Sequence, residues 1–143
     1  MIFIDTNIAI GLIHKQIDIE KFKSLIEHGE ILAISSISMY ELYYGLYFME
    51  KNKKSRKSQR TIDIERESID KLKKSLKIID LNDQAVSYAA EIYHRLSEKG
   101  EQIEEFDCFI AGTIISTASS KIITNNKKHF TRISEITVLS IEM

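Results

Sequence analysis

Five short apolar runs set between longer stretches of helical period constrain this chain more than any other feature. The runs are Ile2 to Ile4, Ile31 to Ile34, Leu76 to Ile79, Ile122 to Ile123 and Thr137 to Ile141. They are short and rich in β-branched residues, as buried strands are, and apolar residues three and four apart fill the intervals. That alternation predicts a parallel sheet wrapped by helices. Ile8 to Ile13 repeats apolar residues too densely for a surface helix. Asp18 to His28 carries Ile19, Phe22, Leu25 and Ile26 at helical spacing. Ser36 to Met49 forms a further helix opened by serine caps, and Ile62 to Leu76 a highly charged one. Asn82 caps an amphipathic helix through Leu96 that Gly100 terminates, and Phe106 to Ala118 reads as a mostly buried helix.

A length of 143 residues predicts a single domain, 1–143, able to bury roughly two thirds of its unfolded surface. No proline and only five glycines argue against linkers or low complexity. The formal charge of −1 hides two basic runs. Lys51, Lys53, Lys54, Arg56, Lys57 and Arg60 make one, read as a solvated helix end or loop, with contact to a polyanion as the alternative. Lys127, Lys128, His129 and Arg132 make the other. One cysteine, Cys108, excludes an internal disulfide and reads as a small buried hydrophobe. The start carries no charged region followed by an apolar leader, and no apolar stretch approaches the ~20 residues of a membrane span. The expectation is a cytoplasmic chain without a membrane segment.

Chemistry concentrates in carboxylates. Asp5 directly follows the first strand candidate and precedes Thr6, Asn7 and a helix, so it is either a helix cap or a ligand. In a parallel sheet, Asp5 and Thr124 to Asn126 both lie just past the carboxyl ends of strands, on one edge. Asp107 reaches that edge from a helix start. Glu41, about one turn into its helix, can point back toward the same crevice. Three gathered carboxylates repel one another unless some are protonated or a divalent cation sits among them. Oxygen donors without a histidine cluster or paired cysteines favour Mg²⁺ or Mn²⁺ over Zn²⁺.

Four motifs carry a resemblance: Ile2-Phe3-Ile4-Asp5-Thr6-Asn7, Ser38-Met39-Tyr40-Glu41-Leu42, Asp107-Cys108-Phe109-Ile110-Ala111, and Thr124-Asn125-Asn126-Lys127-Lys128-His129-Phe130. In this order and at these intervals, with Gly100 before the third, the chain resembles the PIN-domain ribonucleases, and among them the VapC-type toxins. The resemblance implies a three-layer α/β/α sandwich around a mainly parallel sheet of four to five strands. It implies Asp5, Glu41 and Asp107 as an acidic site for Mg²⁺ or Mn²⁺, with Asn126 at a fourth position where the family has aspartate or asparagine. It implies hydrolysis of RNA to a 5′-phosphate and a 3′-hydroxyl, with no histidine acting as base. Family members form homodimers and are silenced by a VapB-like antitoxin, so both partners are expected along with an RNA substrate.

The resemblance also makes Thr6 and Thr124 hydrogen-bonding supports rather than helix-start residues alone. Glu104 and Glu105 either assist the site or complement a helix dipole. His129 and Phe130 read as rim or packing residues. Tyr40, Tyr43, Tyr44, Tyr47 and Phe48 exceed what one core-facing stripe needs, and an exposed aromatic face fits a partner surface. Two rivals stay open. One is a PIN-like module that binds RNA or protein without cutting it. The other is a receiver-like phosphotransfer domain with Asp80 as its acceptor, although an aspartate-nucleophile phosphatase wants aspartate where Asn7 stands.

Overall fold

The computed structural model of the protein describes residues 1–52 and 57–143; Lys53, Lys54 and Arg56 of the first basic run lie outside the described residues. In chain order the elements are β1 (Ile2–Ile4), α1 (Thr6–Ile13), α2 (Ile19–Ser24), β2 (Leu32–Ser35), α3 (Ser36–Lys51) and α4 (Gln59–Lys74), followed by β3 (Lys77–Ile79), α5 (Asp83–Glu98), α6 (Glu105–Ser116), β4 (Lys121–Ile123), α7 (Lys127–Phe130) and β5 (Thr137–Leu139). The five strands form one sheet in the order β3-β2-β1-β4-β5, with every pairing parallel. The chain winds outward from β1 through β2 to β3, then crosses back to lay β4 and β5 on the other side. β1 and β4 therefore flank the point where winding reverses, and crevices for ligands open at such points beyond the strand carboxyl ends.

Side chains alternate across the strands and so feed two cores, one on each face. Ile2, Ile4, Ile34 and Ile123 pack with Ile8 of α1, Met39, Leu42 and Leu46 of α3, and Ile62 and Ile69 of α4. Phe3, Ala33 and Ile122 pack with Ala89, Ile92 and Leu96 of α5, Ile110 and Ile114 of α6, and Phe130 of α7. The expected layered α/β/α sandwich and its parallel sheet are both present. Cys108 is buried in the second core, and that burial pushes its thiol up to about 11, which keeps it an inert packing group.

Local boundaries follow local hydrogen bonds. Asn82 accepts the Ala85 N–H at 2.9 Å and caps α5, while Gly100 takes a φ of +67° just past its end, as the sequence predicts. α4 opens earlier than its apolar pattern, because the Ser58 hydroxyl accepts the Thr61 N–H at 3.2 Å. α2 is shorter than the Asp18–His28 pattern. After Ser24 the Leu25 and Ile26 amides bond three residues back, to Phe22 and Lys23, which tightens and ends the helix. The four-residue α7 has too few positions to display a period and was not anticipated. No helix among the described residues is long and apolar enough to cross a membrane.

Candidate active site

Strand register assembles the site. Ile4 pairs with Ile123, and the Asp5 N–H bonds the Ile123 carbonyl at 3.0 Å, so the next residues, Asp5 and Thr124, are neighbours beyond the sheet edge. Asp5 sits at the N-cap of α1, so the capping alternative holds in part, but its two oxygens divide their roles. One accepts the Thr6 N–H at 2.7 Å and the other accepts the Thr124 hydroxyl at 2.7 Å. Asp5 is 4 % exposed. α3 begins at that same edge because it directly follows β2, and its side chains tilt back toward its start. Glu41 thereby meets Thr6, whose hydroxyl donates to Oε1 at 2.7 Å. α6 runs back toward the start of β4, so its first turn, carrying Asp107, lies at the edge as well.

Asn126 completes the connection. Its backbone N–H donates to the Thr124 hydroxyl at 2.9 Å and its side-chain amide donates to Asp107 Oδ2 at 3.1 Å. Glu41, Thr6, Asp5, Thr124, Asn126 and Asp107 are thus links of one hydrogen-bonded chain drawn from four distant parts of the sequence. The amide nitrogen of Asn126, rather than its oxygen, faces Asp107, so here Asn126 holds a carboxylate in place.

His129 is the member that sequence reasoning assigned to the rim. Its Nδ1 lies 2.7 Å from Asp107 Oδ2 and 2.9 Å from the Asn126 amide nitrogen. An ionised carboxylate only accepts, so beside ionised Asp107 the proton sits on Nδ1, and Nδ1–H and the Asn126 amide both donate to the shared oxygen. The signal in the sequence was the spacing of three from Asn126, legible only once a helical turn at α7 is known. Arg132 bonds the carbonyls of Glu101 and Gln102 at 3.1 Å each and pins the segment leading into α6. Lys127 and Lys128 remain exposed beside the site.

Burial and mutual repulsion dominate the electrostatics. Desolvation pushes Asp5 up to about 6 against the lowering by its Thr124 and Thr6 bonds, and Asp107 and Glu41 add repulsion. Burial also raises Glu41, with Asp107 and Glu104 contributing, and raises Asp107 despite its bond to His129. Glu104, at the N-cap of α6 without a side-chain capping bond, thus acts on the site through its charge.

This has a consequence for stability. Folding raises the Asp5 pKa, so between its ordinary 3.8 and about 6 the native state holds a proton that the unfolded chain has lost. The Asp5 contribution costs nothing below that window, turns unfavourable as pH rises through it, and reaches about 3 kcal/mol above it. Asp5→Asn removes the penalty. Urea titrations of both cation-free proteins are expected to show the variant gaining on the parent as pH rises from about 4 and the gain levelling off above about 6; a constant difference across pH refutes the assignment.

The donor set suits a hard divalent cation, since all three acids offer carboxylate oxygen. Asp107 Oδ1 and Glu41 Oε2 accept no hydrogen bond among the described residues. As posed, no three or more His, Cys, Asp or Glu side chains among those residues converge into a ready cage. The carboxylates are linked through threonine and asparagine rather than in mutual contact, and Asp5, Glu41 and Asp107 are the residues that would hold a cation.

Comparison with known proteins adds findings of three kinds. The PIN domain family model matches residues 2–136. A chain in the crystal structure of VapBC2 from Rickettsia felis, bound to a DNA fragment from their promoter, is 30 % identical with a TM-score of 0.80, covering 99 % of this chain and 100 % of that one. A chain of the DNA-bound VapBC from Salmonella typhimurium is 26 % identical with a TM-score of 0.77, covering 98 % of each. A chain of VapBC-1 from nontypeable Haemophilus influenzae shares the fold, with a TM-score of 0.78, 24 % identity and 98 % coverage of each chain. No curated protein sequence matches.

Proposed function

Because the chain belongs to the PIN domain family, we propose that it is an endoribonuclease dependent on Mg²⁺ or Mn²⁺ and the toxin of a VapBC-type toxin–antitoxin pair. The observation that carries this reading is the continuous chain of bonds that links Asp5, Glu41 and Asp107 at the strand switch point. When bound, the cation lowers the pKa of a water and offsets charge on the scissile phosphate. The protein's own part is orientation. Thr124 and the Thr6 amide fix both oxygens of Asp5, the Thr6 hydroxyl fixes Glu41, and Asn126 with His129 fixes Asp107. Rigid, oriented oxygens spare the site from reorganising during the reaction. Water's oxygen forms the new bond to phosphorus, the bond to the 3′ oxygen breaks, and the water's proton balances the departing 3′ alkoxide, giving a 5′-phosphate and a 3′-hydroxyl.

For partners we propose RNA, a VapB-like antitoxin, and a second copy of the chain. Ile78 on the edge strand and Val86 and Tyr93 on α5 are exposed apolar residues suited to self-association. We take residues 1–143 as one domain. The receiver-like alternative is disfavoured by its own acceptor: Asp80 is exposed and follows the edge strand β3, two strands from Asp5.

The test is incubation of the purified protein with structured RNAs and Mg²⁺ or Mn²⁺, followed by end-group analysis. Cutting that stops on chelation, resumes on adding the cation, and leaves 5′-phosphates supports the reading. RNA that is bound but never cut, with either cation, favours the non-cleaving module.

A further inference from the structure

An acidic cleft repels a polyanion, so a strand whose phosphate must enter it needs attachment on the flanks. One flank carries a ladder of rings. Tyr40, Tyr44 and Phe48 stand one helical turn apart on α3 and are 53 %, 60 % and 52 % exposed. Four residues of helix rise about 6 Å, and the rings stack at centroid distances of 6.3 Å for Tyr40–Tyr44 and 6.5 Å for Tyr44–Phe48, with interplanar angles of 26° and 29°. Phe106, at the start of α6, closes the ladder edge-on against Tyr40 at 5.6 Å.

The ladder runs into the carboxylate site without a break. A cleft of about 360 Å³ is lined by Tyr40, Tyr44 and Phe106 together with Thr6, Asn7 and Glu41. At the far end of α3, Lys51 lies 5.9 Å from the centre of the Tyr47 ring. α7, which follows β4 on the other side of β1 from α3, carries the exposed Lys127 and Lys128. Cations at both ends and flat aromatic faces beside the acids match what unpaired nucleic acid requires, namely charge along the backbone and rings on which bases stack. An aromatic face alone would also suit a protein partner, and the cations flanking it are what favour a polyanion. Resting on the ribonuclease reading, we infer that Tyr40, Tyr44, Phe48 and Phe106 form a stacking platform for unpaired bases of the RNA next to the scissile phosphate. The substrate segment is single-stranded there, because paired bases have no free face to offer.

The test measures binding of a short fluorescent single-stranded oligoribonucleotide to the Asp5→Asn protein, with an RNA duplex of the same sequence beside it. Tyr44→Ala and Phe48→Ala are each expected to weaken single-strand binding roughly 5- to 100-fold and to leave duplex binding unchanged. Tyr44→Phe retains affinity, and Tyr44→Leu loses it despite similar apolar bulk. Exposure of both rings predicts unaltered melting temperatures, which separates a binding effect from unfolding. Equal binding by Tyr44→Leu and the parent overturns the platform. So does a Tyr44→Ala variant whose RNA binding is intact while its sedimentation shows lost self-association, since the rings then serve a protein interface. RNA cutting by the same ring variants with Asp5 restored separates the two readings. Cutting that depends on Asp107 but is indifferent to the rings removes the platform and keeps the ribonuclease. Single-strand binding that depends on the rings in a protein that never cuts does the reverse.

Discussion

Asp107→Asn is expected to slow RNA cleavage by about three orders of magnitude while the protein stays folded. The magnitude follows from what a carboxylate in such a site contributes: charge stabilisation worth several kcal/mol, at 1.36 kcal/mol for each factor of ten. Folding survives because the substitution keeps the shape, and an amide oxygen can still accept from Asn126 and His129, which now meet at Asp107 Oδ2. Asn126→Ala is expected to cost far less, on the order of tenfold, since removing a residue that only orients a ligand loses orientation and not the ligand. Single-turnover cutting of a labelled RNA at saturating Mg²⁺ gives both rates. Parental cutting by Asp107→Asn would mean the activity belongs to another protein in the preparation. A loss in Asn126→Ala equal to that of Asp107→Asn would instead make Asn126 a ligand.

Parts of the site were legible because strand ends are legible. A β-branched run that stops at an acid, as Ile2 to Ile4 does at Asp5, states both where the chain turns and what it presents there. The Ile4–Ile123 register then puts Thr124 beside Asp5, which no single segment reveals but which a parallel sheet makes unavoidable. Glu41 is harder to recognise, since a glutamate inside a helix ordinarily faces water; its motif singles it out in the sequence, and the contact with Thr6, 35 positions away, is what ties it to Asp5. His129 lay beyond reach because α7 spans four residues and has no period to announce that Asn126 and His129 share a side. The aromatic excess on α3 was plain in composition. Its arrangement as a ladder was not, because spacing along a helix fixes direction without fixing which neighbouring element, here the start of α6, lies against it.

Gly112→Ala is expected to destabilise the fold by about 3 kcal/mol, lowering the melting temperature on the order of 10 °C. By propensity alone the change should help, since alanine is favoured over glycine inside a helix by about 1 kcal/mol. Packing decides the sign. A Cβ at Gly112 would meet the Ala85 carbonyl oxygen at 2.3 Å and the Ala89 backbone nitrogen at 2.9 Å. Both are backbone atoms of α5 and cannot rotate aside, so α6 must move away from α5, where Ala85 and Ala89 are themselves buried. Such a shift carries Asp107 with it, because both residues ride on α6, and cutting by the folded fraction should fall as well. Gly45→Ala is the matched control: Gly45 also lies within a helix, but a Cβ there meets nothing within 4 Å. That change is expected to raise stability by up to ~1 kcal/mol. Thermal and urea melts of the two variants should therefore move in opposite directions. If both become more stable, the contact between α5 and α6 is looser than the close approach at Gly112 requires, and the placement of Asp107 at the sheet edge loses its support.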